Sequence, residues 1–224
     1  MTRAEQQQHT REEILAAADR LFVEQGFHAT SVDQIAQAAG YTKGAVYSNF
    51  AAKEDVFFAV YERRMKQAVA GLERTLDQAP DPAGWIESVL ADNSSRRGRD
   101  DRWLSTFFEF WAHAIRRPAL RERFATIHAR LEAPFVVAIE RHASKHGAQL
   151  AIDPLQTHLA MASMSLGLTL ERLIRPDVVD ADTGTRIARL VLDVLVKGTD
   201  DGGLNQATDG RRKGAAARPR AGQA

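Results

Sequence analysis

From Thr10 to Ala79 the chain contains no proline, and apolar residues recur through that stretch at intervals of three and four. That period places them on one face of an α-helix. Alternation of β-branched residues is scarce along the whole chain, so the fold has to be assembled from helices separated by short breaks. Thr10 followed by Glu13 is a capping box, in which hydroxyl and carboxylate satisfy the free N–H groups of a helix start. Ile14, Leu15, Ala18, Leu21 and Phe22 follow at helical spacing, and Gly26 ends this first helix. Ser31 and Gln34 repeat the capping logic for a second, short helix carrying Val32, Ile35, Ala36 and Ala39, with Gly40 free to take the left-handed C′ conformation. Thr42 caps a third helix, whose Val46 and Phe50 face inward while Lys43, Gly44, Tyr47 and Ser48 point away. A long helix is predicted from Lys53 to about Leu76, ended by Ala79-Pro80-Asp81-Pro82.

Further helices are predicted over Ala83–Ser95, Arg102–Arg116, Ala119–His146, Pro154–Ile174 and Asp182–Lys197, punctuated by Pro118, Gly147, Pro154 and Pro176. Pro134 falls inside one of them and is expected to kink it, because it removes a donor and crowds the preceding turn. No strand is predicted. After Lys197 the composition shifts to Gly, Ala, Asp and Arg without apolar periodicity, so disorder is expected there. Arg211, Arg212, Lys213, Arg218 and Arg220 make that tail basic, open to either a solvated end or added nonspecific DNA affinity.

Composition removes whole classes of chemistry. The 224 residues, 44% of them hydrophobic, suffice for a packed core. Cysteine is absent, which excludes disulfides, thiolate metal sites and thiol nucleophiles. No apolar run approaches the roughly 20 residues of a membrane helix, and Met1–His9 is polar rather than a signal-peptide core. The expectation is a cytoplasmic protein with no membrane partner, in which the glycosylation-like Asn93-Ser94-Ser95 carries no meaning. His113, His128 and His158 show no metal spacing and no nucleophile partner, so they read as polar pocket or surface residues. With no phosphate loop or activated nucleophile either, neither an enzyme nor a cofactor is expected.

Two short helices joined by a tight glycine turn, the second bearing exposed small and polar groups, are what a helix-turn-helix requires. Its second helix enters the major groove, where bulky side chains would hold the backbone off the bases. Electrostatics alone does not argue for DNA. The formal charge is +1, and Met1–Lys53 holds five basic against six acidic residues.

The segment Thr10 to about Tyr61 resembles the DNA-binding domain of TetR-family regulators. The likeness rests on Gly26-Phe27, Ala29-Thr30-Ser31-Val32, Ile35-Ala36, Ala39-Gly40, Thr42-Lys43-Gly44-Ala45-Val46-Tyr47, Asn49-Phe50 and Lys53-Glu54. The resemblance implies that Thr42, Lys43, Gly44, Tyr47, Ser48 and Asn49 lie at the DNA, with Thr30, Ser31 and Lys53 on phosphates at either side. Many members carry His or a second aromatic where Ser48 and Asn49 stand here. Asn49 can hydrogen-bond phosphate or adenine, and Tyr47 can also be read as a half-buried packing residue.

Beyond Tyr61 the resemblance is one of architecture. It gives an all-α chain with a flexible N-terminus over 1–9, a three-helix helix-turn-helix domain over 10–55, a helical ligand-binding and dimerisation domain over 56–198, and a disordered basic tail over 199–224. Trp103, Phe107, Phe108, Phe110 and Trp111 crowd one helix on more than one face. With Trp85, Phe135, Met161 and Met164 they are the candidate lining of an effector pocket, each also readable as ordinary core. In Pro154–Ile174 one stripe holds Leu155, Leu159, Ala162, Leu166, Leu170 and Leu173, with Met161, Met164 and Leu168 nearly opposite. Ala160, Ser163 and Gly167 form a seam of small residues. The last helix offers Ile187, Leu190, Val191, Val194 and Leu195. Pairing both helices with symmetry mates would give a four-helix homodimer interface, with Ala160, Ser163, Leu166, Gly167, Leu170, Ile187, Val191 and Val194 at its centre. The functional expectation is a repressor of a palindromic operator, released by a small, mostly apolar effector. An activator, or a DNA-binding regulator that senses no ligand, remains the alternative.

Overall fold

The computed structural model describes residues 2–78 and 99–197, and each long run of helical periodicity within them is a helix. The elements are α1 (Arg3–Ala29), α2 (Val32–Ala39), α3 (Lys43–Tyr47), α4 (Lys53–Gln78), α5 (Arg99–Ile115), α6 (Pro118–His146), α7 (Pro154–Ile174) and α8 (Ala181–Leu195). The helix predicted over Ala83–Ser95, the stop at Ala79–Pro82 and the tail after Lys197 lie outside the described residues.

α1 starts well before Thr10. Thr2 and Glu5 form a capping box of their own, with the Glu5 amide donating to Thr2 Oγ1 at 3.2 Å and the Thr2 amide to the Glu5 carboxylate at 2.7 Å. Two boxes of the same type lie eight residues apart, and the outer one prevails because the polar residues between them are compatible with helix. Residues 3–9, expected to be flexible, are therefore helical. Gly26 breaks the helix as expected: its φ of 82° and ψ of 172° interrupt α1 before one last turn to Ala29. α2 has the predicted Ser31–Gln34 box and a left-handed cap at Gly40, φ 76°.

Pro118 opens α6 at its first turn, where a missing amide is harmless. The helix continues through Pro134, an exposed position, and the carbonyl that loses its amide partner, that of the exposed Arg130 one turn earlier, can be met by water. Contrary to expectation, two strands of two residues each do form: β1 (Gln149–Leu150) pairs antiparallel with β2 (Val196–Lys197). Elements that short leave no periodic trace in a sequence.

One core runs without interruption from the first three helices into the second half of the chain. Ile14, Phe22, Phe27, Ile35, Val46, Phe57, Phe110 and Phe124 belong to it, all of them buried. Burying each such phenylalanine stabilises by roughly 2–3 kcal/mol. The rings of Phe57 (α4) and Phe110 (α5) stack at 3.9 Å between centroids, and Phe27 (α1) meets Phe110 edge-on at 5.0 Å. A second cluster gathers Leu76, Ala138, Ile139, Leu195 and Val196 at the far end of α4. The Thr106 hydroxyl donates to the Phe22 carbonyl at 2.6 Å, tying α5 to α1 inside the shared core.

Candidate nucleic-acid interface and effector core

α2 and α3 expose the face predicted to meet DNA. Thr42, Lys43, Gly44, Tyr47 and Ser48 are all exposed, while Val46 and Phe50 anchor the segment from beneath. Tyr47 is 48% exposed, so its ring is free to reach outward rather than fill the core. Thr42 Oγ1 accepts from the Ala45 amide at 3.2 Å, fixing the start of α3. A Cβ on Gly44 would touch only Thr42 Oγ1, at 3.7 Å. The chain's own packing therefore does not demand glycine there, and its effect is to leave bare backbone on the outer surface. Ser31, exposed, spends its hydroxyl capping α2 by accepting from the Gln34 amide.

The end of α3 is fixed by contacts the sequence did not reveal. The Ser48 hydroxyl and the Asn49 side-chain amide both donate to the Ala45 carbonyl at 2.9 Å. Arg11, eight residues into α1, donates to the Asn49 carbonyl at 3.0 Å and lies 4.1 Å over the Phe50 ring. Lys43 forms an ion pair with Asp33 at 2.9 Å, and that hydrogen bond and charge hold its ammonium pKa above the ordinary value. This pair would have to open for Lys43 to reach a phosphate.

Two of the expected phosphate contacts need correction. Thr30 is 1% exposed and its hydroxyl donates to the Gly26 carbonyl at 2.8 Å, so it knits the broken end of α1 instead of facing outward. Lys53 donates to the carbonyls of Phe27 and Thr30 at 2.8 and 2.9 Å and sits 4.3 Å over the Phe27 ring. Orphan carbonyls at a helix end attract a cation. Burial lowers the ammonium pKa, with Glu54 and Glu109 opposing.

The residues predicted to line one pocket separate into three groups. Trp103, Phe107, Phe110 and Ala114 recur at helical spacing and form the inward stripe of α5. Phe57 lies against both Trp103 and Phe110, which makes those two part of the packing between helices rather than a cavity wall, a correction to their expected role. Phe107 and Trp111 lie beside His128 on α6, Phe108 meets those two rings rather than His128, and Phe135 stacks on His158 at 5.3 Å. Met161 packs against the clusters of Leu76 and Leu192, and Met164 is half-buried. Trp85 lies outside the described residues. An open groove of about 480 Å³ between α1 and α4 is lined by Arg11, Leu15, Ala59, Glu62, Arg63 and Lys66, none of them a predicted pocket residue.

The three histidines singled out in the sequence, His113, His128 and His158, are all in polar contacts. His113 meets Glu54 at 3.3 Å, linking α5 to the start of α4, and burial lowers its pKa against the pull of Glu54. His128 and His158 both reach Glu132, and Tyr61 reaches His128. Glu132 and Tyr61 were not singled out in the sequence. The four-residue spacing of His128 and Glu132 was the available signal, since it places both on one helix face. Among the described residues no group of three or more His, Asp and Glu is arranged to hold a metal ion, and no helix is long and apolar enough to cross a membrane.

The predicted dimer stripe is exposed in the single chain. Leu155, Leu159, Leu170 and Leu173 on α7 and Ile187, Leu190 and Val194 on α8 are between 38% and 67% exposed. Ser163 and Gly167 are exposed among them, and a Cβ on Gly167 would meet nothing within 4 Å. Ala160, Leu166 and Val191 are half-buried, the first and last packing against the Leu76 cluster.

Residues 14–60 match the family model described as bacterial regulatory proteins, tetR family, and residues 82–197 match that of the BetI-type transcriptional repressor, C-terminal. The chain is similar to the HTH-type transcriptional activator FasR of Mycolicibacterium smegmatis, 35% identical over 46% of this chain and 41% of that protein. It is also similar to the HTH-type transcriptional repressor AcnR of Corynebacterium diphtheriae, 28% identical over 66% of this chain and 74% of that one. The first of these alignments spans less than half of the relative's length. The fold is that of the transcriptional regulator FadR of Bacillus subtilis solved with stearoyl-CoA, at 18% identity and a TM-score of 0.61, covering 84% of this chain and 98% of that one.

Proposed function

The chain belongs to the tetR family of bacterial regulatory proteins, and from that premise we propose that it is a homodimeric repressor of a palindromic operator, released by a small effector bound in its helical second half. The observation that carries the reading is the solvent-facing row Thr42, Lys43, Gly44, Tyr47 and Ser48 on a rigidly anchored α3, a surface whose small and polar side chains suit a major groove. Ser31 and the first turn of α2 supply donors for a neighbouring phosphate. Such a protein works on chromosomal DNA in the cytoplasm.

Dimerisation is supported by the exposed leucine stripe of α7 and α8, because seven large apolar side chains on two adjacent helices are costly to leave in water. A two-fold axis through that face would present two copies of α3, for half-sites about one helical turn apart, roughly 34 Å. The effector reading is supported by the polar and aromatic group around His128 and by the acyl-CoA in the FadR structure. Activation is the second reading, favoured by the name of FasR.

Footprinting on genomic DNA with purified protein, wild type beside Tyr47→Ala, tests the proposal. The wild type should protect palindromic sites overlapping promoters, and the variant should stay folded yet lose that protection. Sites upstream of promoters would favour activation, and equal protection by the variant would reject the assigned face.

A further inference from the structure

The last two turns of α6 carry a histidine pair outside the polar contacts of His113, His128 and His158. His142 and His146 stand four residues apart in His142-Ala143-Ser144-Lys145-His146, which places both rings on one face of the helix. Their centroids are 4.5 Å apart, with the ring planes inclined at 43°. His142 is buried and His146 half-buried. Both Nε2 atoms are withdrawn from solvent, and Nε2 of His146 has no hydrogen-bond partner. A buried polar nitrogen left unmet is costly, and its lone pair is what a metal ion takes up. Burial holds the His142 pKa below its ordinary value, with His146, Lys145 and Arg141 acting in the same direction and Asp77 opposing. His142 is therefore neutral near pH 7, the form that ligates.

The distance between the rings fits a shared ion. At a metal–nitrogen distance of about 2.1 Å and a coordination angle of about 90–110°, two imidazoles on one ion have centroids roughly 4.6–5.3 Å apart. Four-residue spacing is also how paired histidines on one helix face hold zinc. His28 and His113 touch as well, at 5.3 Å, but both ring nitrogens of His113 are taken, Nε2 by Glu54 at 3.3 Å and Nδ1 by Arg117 at 2.9 Å. Charge around the pair tolerates a cation. Arg141 is paired with Glu73 at 3.3 Å, Lys145 is exposed, and the Asp77 carboxylate at the end of α4 acts on His142. The C-terminal end of a helix, where His146 stands, favours positive charge too. Imidazole donors without thiolates suit late first-row divalent ions, copper ahead of zinc. Two protein nitrogens leave the remaining positions to water, so the ion is exchangeable.

We propose that His142 and His146 form a two-nitrogen site for a divalent late transition-metal ion, Cu²⁺ or Zn²⁺, held between their Nε2 atoms. Calorimetric titration of the full chain, free of any affinity tag, with zinc chloride and with copper(II) sulfate tests it. The tightest ion should bind at one per chain, copper ahead of zinc, and the Cu²⁺ electron spin resonance spectrum should show coupling to two nitrogens. His146→Gln should bind both ions more weakly by roughly tenfold or more, since even perturbing the surroundings of a metal site costs that much. His9→Gln, changed at an exposed position on α1, should bind as the wild type does. A wild type that takes up neither ion would overturn the site, as would a His146→Gln protein with undiminished affinity. Loss of binding in His9→Gln would place the ion on α1 and overturn the site equally. His142→Gln is the second variant and should lose affinity to the same extent. Should either variant fail to fold by circular dichroism, the other decides, and should both fail, a wild-type copper spectrum with fewer than two coupled nitrogens rejects the pair.

Discussion

Gly26 shows how a residue legible in sequence owes its necessity to a distant partner. Its backbone, φ 82° and ψ 172°, lies in a region that only glycine occupies without strain, and a Cβ there would stand 2.3 Å from Glu109 Oε1. Glu109 in turn accepts from the His28 amide at 3.1 Å, across the break in α1. Gly26→Ala should therefore cost about 1–3 kcal/mol, read as a lower urea midpoint with unchanged slope. A midpoint equal to wild type would show that the break relaxes freely. The glycine was readable as a helix stop from its place after Phe22, whereas Glu109 lies far along the chain and could not be inferred. The same holds for Thr30 and Lys53. Their types suit phosphate, and only the tertiary placement of the end of α1 beside the start of α4 shows that both serve the chain's own carbonyls.

At the scale of elements, α7 and α8 each have an exposed and a buried apolar side, and adjacent residues fall on different ones. Leu190 is 67% exposed, while Val191 packs against the cluster of Leu76 and Ala138. A charge at Leu190 costs the isolated chain little, but in a dimer it would be buried without a partner, at several kcal/mol in order of magnitude. Leu190→Glu should accordingly sediment as a monomer, with thermal unfolding close to that of a wild type diluted below its dimer dissociation. If it remains dimeric, the interface lies elsewhere. Boundaries set by proline and glycine were legible for these elements because the stop is local: Pro154 opens α7, and the left-handed Gly147 closes α6. The start of α1 was not, because two capping boxes competed and the choice depends on whether residues 3–9 gain more from helix than from solvent freedom.

Over the whole molecule, the continuous core means that the DNA module and the rest cannot move independently. Phe22, Phe27, Phe57 and Phe110 span α1, α4 and α5, and Glu54–His113 and Thr106–Phe22 add polar ties across the same seam. In the proposed repressor, an effector that shifts α5 would displace α1 through this core, and the factor by which it weakens DNA binding would equal, by linkage, the factor by which DNA weakens effector binding, typically 5- to 150-fold. Burial also has a consequence for pH. His113, His128 and His142 all have lowered pKa values, with burial as the largest cause in each. Below the ordinary imidazole pKa of about 6.5 the unfolded chain then binds more protons than the folded one, so stability falls as pH falls. The melting temperature should drop between pH 7.5 and 5.5, and a flat or rising profile would contradict the buried placement of these rings.

The sequence by itself determined the helical class, the helix-turn-helix with its caps at Ser31, Gly40 and Thr42, and the apolar stripes of α7 and α8. All of these follow from local hydrogen-bond satisfaction and from a period of 3.6 residues, which neighbours a few positions apart can express. Only the tertiary structure decided that Trp103 and Phe110 pack between helices while Trp111 and Phe135 turn towards His128 and His158, and that Glu132 gathers two histidines on one carboxylate oxygen. Those outcomes depend on which helices cross and at what height. A sequence period states which residues share a face, but the face is given a partner by packing between segments that are distant along the chain.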